Sequence, residues 1–207
     1  MGLFDVFRAR PAIRDREALA EFIDQNAAFL VQKGMYEYSR ARAGHYAKVL
    51  FAEPGFKAAI EEARWRSYPL GLAMVGELVE GVVRPHAGEE RGAALEALIS
   101  LVLSVFDRYP VPAGLTEADW TAARGDLERQ LARAGIHAVK PAKDIPEPLV
   151  KPYFALMPID KKLRASDFPT IRNYLRVTLC NIHDEFTKRA DAPALAAMLA
   201  GAASRRP

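Results

Sequence analysis

The chain has 207 residues, of which 50% are hydrophobic, so it can bury a sizeable core and is not of the disordered class. Its 29 basic side chains exceed its 26 acidic ones by only three, which does not predict a nucleic-acid partner. The single cysteine, Cys180, excludes an intramolecular disulfide and a Cys-rich zinc site, and because no secretion signal is visible we expect a cytoplasmic protein.

The N-terminal segment, residues 1–10, reads MGLFDVFRAR and places apolar side chains beside arginines. Such a segment can lie at a membrane surface, which predicts a weak peripheral membrane contact. The alternative is that Phe4 and Phe7 dock on the core of this protein or of a partner. The longest apolar run, residues 97–106, is too short to cross a bilayer, which takes roughly 20 apolar residues.

Hydrophobic residues then recur at three-to-four spacing, which predicts a series of helices. The first covers about residues 15–33 and is ended or kinked by Gly34. The second covers residues 35–51, and a third, short helix begins near Pro54 and reaches Arg66.

The next two helices, between Pro69 and Tyr109, are apolar on most of their circumference and predict a central helical hairpin. On the fourth helix Glu77, Glu80 and Arg84 share one narrow stripe, which we expect to be solvated. On the fifth, one edge carries small residues that allow close approach of a neighbouring helix. These are Ala93, Ala97, Ser100 and Ser104.

The second half of the chain continues the helical pattern. Thr116 begins a charged helix, and Asp167 and Asp191 begin the last two. Residues 135–158 hold five prolines, which predict a stiff, mostly extended crossing with one helical turn around residues 149–156 at most. Residues 204–207 should fray. With no sustained strand alternation and no repeat, we predict an all-α, single-domain irregular bundle of eight or nine helices over residues 1–207.

No motif of a serine-hydrolase elbow, a P-loop, a dinucleotide-binding turn or a zinc protease occurs in the chain, and we predict no metal site and no cofactor. The candidate catalytic residues are Cys180 and His183, three positions apart on a predicted helix with arginines nearby. That setting can lower the pKa of a thiol. The alternative is that Cys180 fills a second packing face of its helix.

A second candidate site lies on the second helix, where Arg42 interrupts an apolar stripe. A guanidinium in that position needs a partner, which is an anionic ligand, a carboxylate such as Glu77 or Glu80, or water reached beside the tyrosines. Paired carboxylates on an apolar helix can also act as acid and base. The predicted ligand-binding residues are Tyr38, Arg42, His45, Tyr46, Glu77 and Glu80.

Three hypotheses about function follow. The first is a non-enzymatic helical interaction or scaffold module that binds a protein partner or itself. The second is a small-ligand-binding protein or an enzyme, for example a hydrolase, with a pocket between the second helix, the central hairpin and the Cys180 helix. The third is a peripheral membrane protein.

Overall fold

The computed structural model describes residues 11–203, and the predictions for residues 1–10 and 204–207 lie outside this range. The described chain is helical throughout, and its one β-type contact is an isolated parallel bridge between Ile13 and Ala190. The helices are α1 (Arg16–Ala43), α2 (Ala47–Leu50), α3 (Pro54–Val83), α4 (Arg91–Phe106), α5 (Glu117–Ile136), α6 (Glu147–Ala155), α7 (Phe168–Arg189) and α8 (Ala192–Ala203).

The all-α class is therefore confirmed, but the helix count is not. Residues 11–203 hold seven helices of nine residues or more, together with the single-turn α2. One predicted boundary, Gly34, lies inside α1. A side chain there would collide with the hydroxyl of Tyr153 and the ring of Tyr174, so this glycine allows close packing and does not end the helix.

The other predicted boundary, Pro69, lies inside α3. Proline has no N–H, so the Trp65 carbonyl loses its helical hydrogen bond at this point. The surrounding chain is deeply packed, with Tyr68 only 3% exposed and Gly71 against the backbone of α1. We attribute the continuation of α3 to this burial, which outweighs the local penalty of the proline.

Helix α3 is the most enclosed element, and every residue from 71 to 80 is buried. It packs most extensively against α1 and also contacts α4, α5, α7 and α8. Helix α4, in contrast, packs chiefly along α8. A hairpin of α3 and α4 at the centre is thus not confirmed. The described residues contain no helix long and apolar enough to cross a membrane.

The predicted starts of α5, α7 and α8 are confirmed, and those of α5 and α8 have side-chain caps. The Thr116 hydroxyl accepts a hydrogen bond from the Asp119 amide at 3.1 Å, which starts α5. Asp167 occupies the N-cap position of α7, and the Asp191 carboxylate accepts from the Ala194 amide at 3.2 Å at the start of α8. The proline-rich crossing contains one helix, α6, whose nine residues exceed the single turn predicted around residues 149–156.

Candidate functional site

Tyr38 and Arg42 meet at one carboxylate, that of Asp167 at the start of α7. The Tyr38 hydroxyl donates to Asp167 Oδ2 at 2.7 Å, and Arg42 Nε lies 3.3 Å from the same oxygen. Arg42 also donates to the Leu163 carbonyl. Burial, followed by the hydrogen bond to Asp167, raises the pKa of Tyr38 to about 12. The partner of Arg42 is therefore Asp167, and the expected pairing with Glu77 or Glu80 is wrong.

The other two predicted residues of this group, His45 and Tyr46, lie in the exposed turn that follows α1. Their ring centroids are 4.0 Å apart, and Tyr46 is 64% exposed. They are at the surface, beyond the end of the buried part of α1. Their ligand-binding role stays a prediction.

Glu77 and Glu80 are buried, so the prediction of a solvated stripe is wrong. Lys140 Nζ lies 2.7 Å from Glu77 Oε1, and Arg84 binds Glu80 through both Nε and Nη2 at 2.5 and 2.6 Å. Arg84 also donates to the carbonyls of Ala134 and His137. The end of α5 and the residues after it thus cover the stripe. They are held on α3 by the Lys140–Glu77 ion pair and by the hydrogen bonds from Arg84 to the two carbonyls.

Cys180 and His183 lie on α7. Cys180 is exposed, so its expected role in a second packing face is wrong: it lies across the helix from the buried stripe that includes Leu175 and Ile182. His183 is half-buried. Their catalytic role stays a prediction. No group of three or more His, Cys, Asp and Glu residues within residues 11–203 is placed to hold a metal ion.

A buried polar cluster that the sequence did not predict is centred on Asp24 of α1, which is 8% exposed. The Tyr68 hydroxyl donates to Asp24 Oδ1 at 2.7 Å, and the Tyr109 hydroxyl lies 3.0 Å from both carboxylate oxygens. Arg108 Nη1 adds a longer contact of 3.4 Å to Oδ2. Three side chains thus converge on one buried carboxylate, which fixes the positions of the two tyrosine rings.

Burial, with the hydrogen bond to Asp24 as the next cause, raises the pKa of Tyr68 and of Tyr109 above the ordinary value of a tyrosine. Both hydroxyls therefore stay protonated over the neutral range and remain donors to Asp24. We call this cluster the frame. Its hydrogen bonds are all made between side chains of the protein, so its role is structural.

This frame forms one wall of a cavity of about 160 Å³ between α1 and α3. Three rings, of Trp65, Tyr68 and Tyr109, pack against one another, with centroid separations between 5.1 and 5.8 Å. We call the cavity the aromatic pocket. Its lining residues are Ala28, Val31, Gln32, Arg64, Trp65, Tyr68 and Tyr109.

Arg64 supplies the charge of the aromatic pocket. Its guanidinium carbon lies 4.6 Å from the centre of the Trp65 ring, and its Nη2 lies 3.0 Å from Glu61. Its Nε is buried and has no hydrogen-bond acceptor among the described residues. A buried donor without an acceptor is unfavourable by roughly 1–3 kcal/mol. Because this nitrogen is buried, a ligand acceptor reaches it only after the Arg64 side chain changes conformation.

The signal for this site was present in the sequence. Asp24 shares the buried arc of α1 with Ala20, Ala27 and Val31, so it is a charged residue on an apolar face, as Arg42 was. The tyrosines at 68 and 109 flank the predicted hairpin. In a helical hairpin the first and last residues lie close together, so the prediction would have placed these two rings side by side.

Comparison with protein-family models, with curated proteins and with solved structures gives no match. The chemistry of the site is therefore inferred from its own geometry.

Proposed function

We propose that the protein binds a small aromatic carboxylic acid in the aromatic pocket. The observation that carries this proposal is the buried Arg64 Nε without an acceptor, located beside a cavity with aromatic walls. A carboxylate in the pocket would complete the hydrogen bonding of Arg64 once this side chain turned its Nε toward the ligand. This is the small-ligand hypothesis, moved from the predicted pocket to a different one.

The size of the aromatic pocket supports a single ring as the ligand. Protein cavities of roughly 150 Å³ hold one benzene molecule, and the aromatic pocket has about 160 Å³. Its walls offer ring faces and edges from Trp65, Tyr68 and Tyr109, which favour an aromatic guest. The apolar side chains of Ala28 and Val31 line the α1 side.

The charges around the pocket favour an anion over a cation. Aromatic rings and a carboxylate often bind cations, but here the Arg64 guanidinium already occupies the face of Trp65. Asp24 is bound by Tyr68, Tyr109 and Arg108 and is not itself part of the lining. The ligand carboxylate therefore belongs at the Arg64 end, with the ring toward the tyrosines.

Benzoate is the probe for this site, and Arg64→Gln is the decisive variant. A charge-assisted hydrogen bond is worth roughly 1.5–3 kcal/mol, so the substitution should weaken benzoate binding by about 10-fold to 100-fold. Binding is measured by isothermal titration calorimetry and by quenching of tryptophan fluorescence, since Trp65 lines the pocket.

The matched control is Arg66→Gln, which removes the same charge from the same helix. Arg66 is paired with Glu62 and lines a different cleft, so this variant should bind benzoate as the wild type does. Benzylamine, a cation of similar size, should not bind. No benzoate binding to the wild type, or equal loss in both variants, would contradict the proposal.

A second candidate function is self-association, one form of the interaction-module hypothesis. It is favoured by a cleft of about 650 Å³ between α1 and the end of α7, where Phe29 is 46% exposed. The cleft carries Glu21 as well as Arg189, so two copies related by a two-fold axis can place opposite charges against each other. We propose that a second copy of the chain covers it.

Self-association predicts a molar mass that rises with protein concentration in sedimentation and light-scattering measurements. Phe29→Glu should keep the protein monomeric, because it places a charge in the centre of the cleft. Val177→Glu is the control, since Val177 is 51% exposed and does not line the cleft. A wild-type protein that stays monomeric at all concentrations tested would exclude this function.

A further inference from the structure

A second cleft, independent of the aromatic pocket, lies between α3 and α5 and has a volume of about 320 Å³. It shares no lining residue with the aromatic pocket. Its volume falls at the lower end of the range of small-molecule sites, roughly 300–1,000 Å³. One face of α5, with Ala123, Leu127 and Gln130, forms its outer side.

The floor of this cleft is aliphatic. Ala73 of α3, Leu127 of α5 and Leu149 of α6 are each buried and meet there, together with Pro69. No aromatic side chain is among the residues that line the cleft in the described chain. It therefore offers an apolar surface to an aliphatic ligand, without ring faces on which an aromatic ligand would stack.

Among the described residues, the rim of the cleft carries one arginine without a partner. Arg66 is bound to Glu62 and Asp119, and Arg129 is bound to Asp126. Arg133 and Gln130 are one helical turn apart, and neither has a hydrogen-bond or ion-pair partner within residues 11–203. A guanidinium and an amide side by side above an apolar floor match a carboxylate head group with an aliphatic tail.

We propose that the α3–α5 cleft binds a free medium-chain aliphatic carboxylic acid, with its carboxylate at Arg133 and Gln130 and its chain on the apolar floor. The positive charge of Arg133 favours an anionic head group, and the aliphatic floor favours an aliphatic chain over an aromatic ring. The proposal stands apart from the aromatic pocket, because the two sites use different residues.

Octanoate and hexanoate are the probes, and binding is followed by amide chemical shifts in NMR titrations and by calorimetry. Each buried CH₂ should tighten binding about fourfold, so octanoate should bind roughly 15-fold more tightly than hexanoate. Arg133→Gln should weaken octanoate binding by about tenfold. The changes in amide chemical shift should map to α3 and α5. The Arg64→Gln substitution, in the other pocket, should leave octanoate binding unchanged.

Arg124→Gln is the matched control for charge. Arg124 is on the same helix, is paired with Asp107 and does not line the cleft. Ala123→Leu tests occupation of the cleft, because the larger side chain on its α5 side reduces the space for the ligand while Arg133 is kept. Octanoate binding lost in Arg133→Gln and in Ala123→Leu but kept in Arg124→Gln supports the proposal. Absence of binding, no dependence on chain length, or equal loss in the two arginine variants overturns it.

Discussion

Replacing Gly71 with alanine is expected to destabilise the protein by about 2 kcal/mol. A Cβ at this position would lie 2.7 Å from the carbonyl oxygen of Ala27 and 3.0 Å from a methyl carbon of Val31. The first of these atoms belongs to the backbone of α1, so it cannot rotate away. Helix α1 would have to move from α3, and the resulting loss outweighs the roughly 1 kcal/mol that alanine gains over glycine in a helix.

The free energy of unfolding is measured by urea denaturation, with Gly92→Ala as the control. Gly92 is also in a helix, but a Cβ there has no atom within 4 Å. That variant should be as stable as the wild type or more stable by up to about 1 kcal/mol. If Gly71→Ala were as stable as Gly92→Ala, the close contact between α1 and α3 would be wrong.

The same substitution bears on the proposed ligand site. Val31, which the new methyl group would press on, lines the aromatic pocket together with Ala28 of the same helix. Separation of α1 from α3 would therefore widen the pocket that the proposal fits to a single ring. Weaker benzoate binding by Gly71→Ala, with binding retained by Gly92→Ala, would link the packing of the two helices to the site.

The sequence predicted the helical class well, because the spacing of apolar residues is a local property of the chain. It predicted boundaries poorly at Gly34 and Pro69, because both residues are packed by distant elements that outweigh their local preference. The local pattern does not indicate whether a glycine ends a helix or admits a neighbouring tyrosine. The same limit explains why one continuous α1 was predicted as two helices.

Partner identities were the least predictable part of the site. A charge in an apolar pattern predicts that a partner is needed, and Arg42, whose side chain is 42% exposed, does pair with a carboxylate. The pattern could not identify Asp167, which joins the same cluster as Tyr38 although the two are 129 positions apart. Glu77 and Glu80 were expected in solvent because a stripe of charges usually faces water, whereas Lys140 and Arg84 pair with them under the end of α5.

Removing the buried carboxylate with Asp24→Ala is expected to destabilise the protein by about 3 kcal/mol. The substitution removes the acceptor that lies 2.7 Å from the Tyr68 hydroxyl, and Tyr68 is only 3% exposed. It also removes the acceptor of Tyr109. Asp126→Ala is the control, because its ion pair with Arg129 is largely exposed. That variant should change the free energy of unfolding by less than about 0.5 kcal/mol.

The dependence of the free energy of unfolding on pH above pH 10 distinguishes loss of this cluster from a general packing defect. The pKa values of Tyr68 and Tyr109 are raised in the folded protein, first by burial and then by Asp24, whereas in the unfolded chain they are near 10. Above pH 10 the unfolded chain releases protons that the folded protein keeps. The stabilisation is therefore complete below pH 10 and is lost as the pH rises beyond it.

Asp24→Ala removes the hydrogen bond and the negative charge that raise these two pKa values, and leaves burial as the largest remaining cause. The variant should therefore lose stability less steeply above pH 10 than the wild type, although it is less stable at pH 7. Tyrosine absorbance should show Tyr109, identified by comparison with Tyr109→Phe, ionising at lower pH in the variant. Parallel pH profiles for the two proteins would mean that Asp24 does not hold the tyrosines, and the wall of the aromatic pocket would need another explanation.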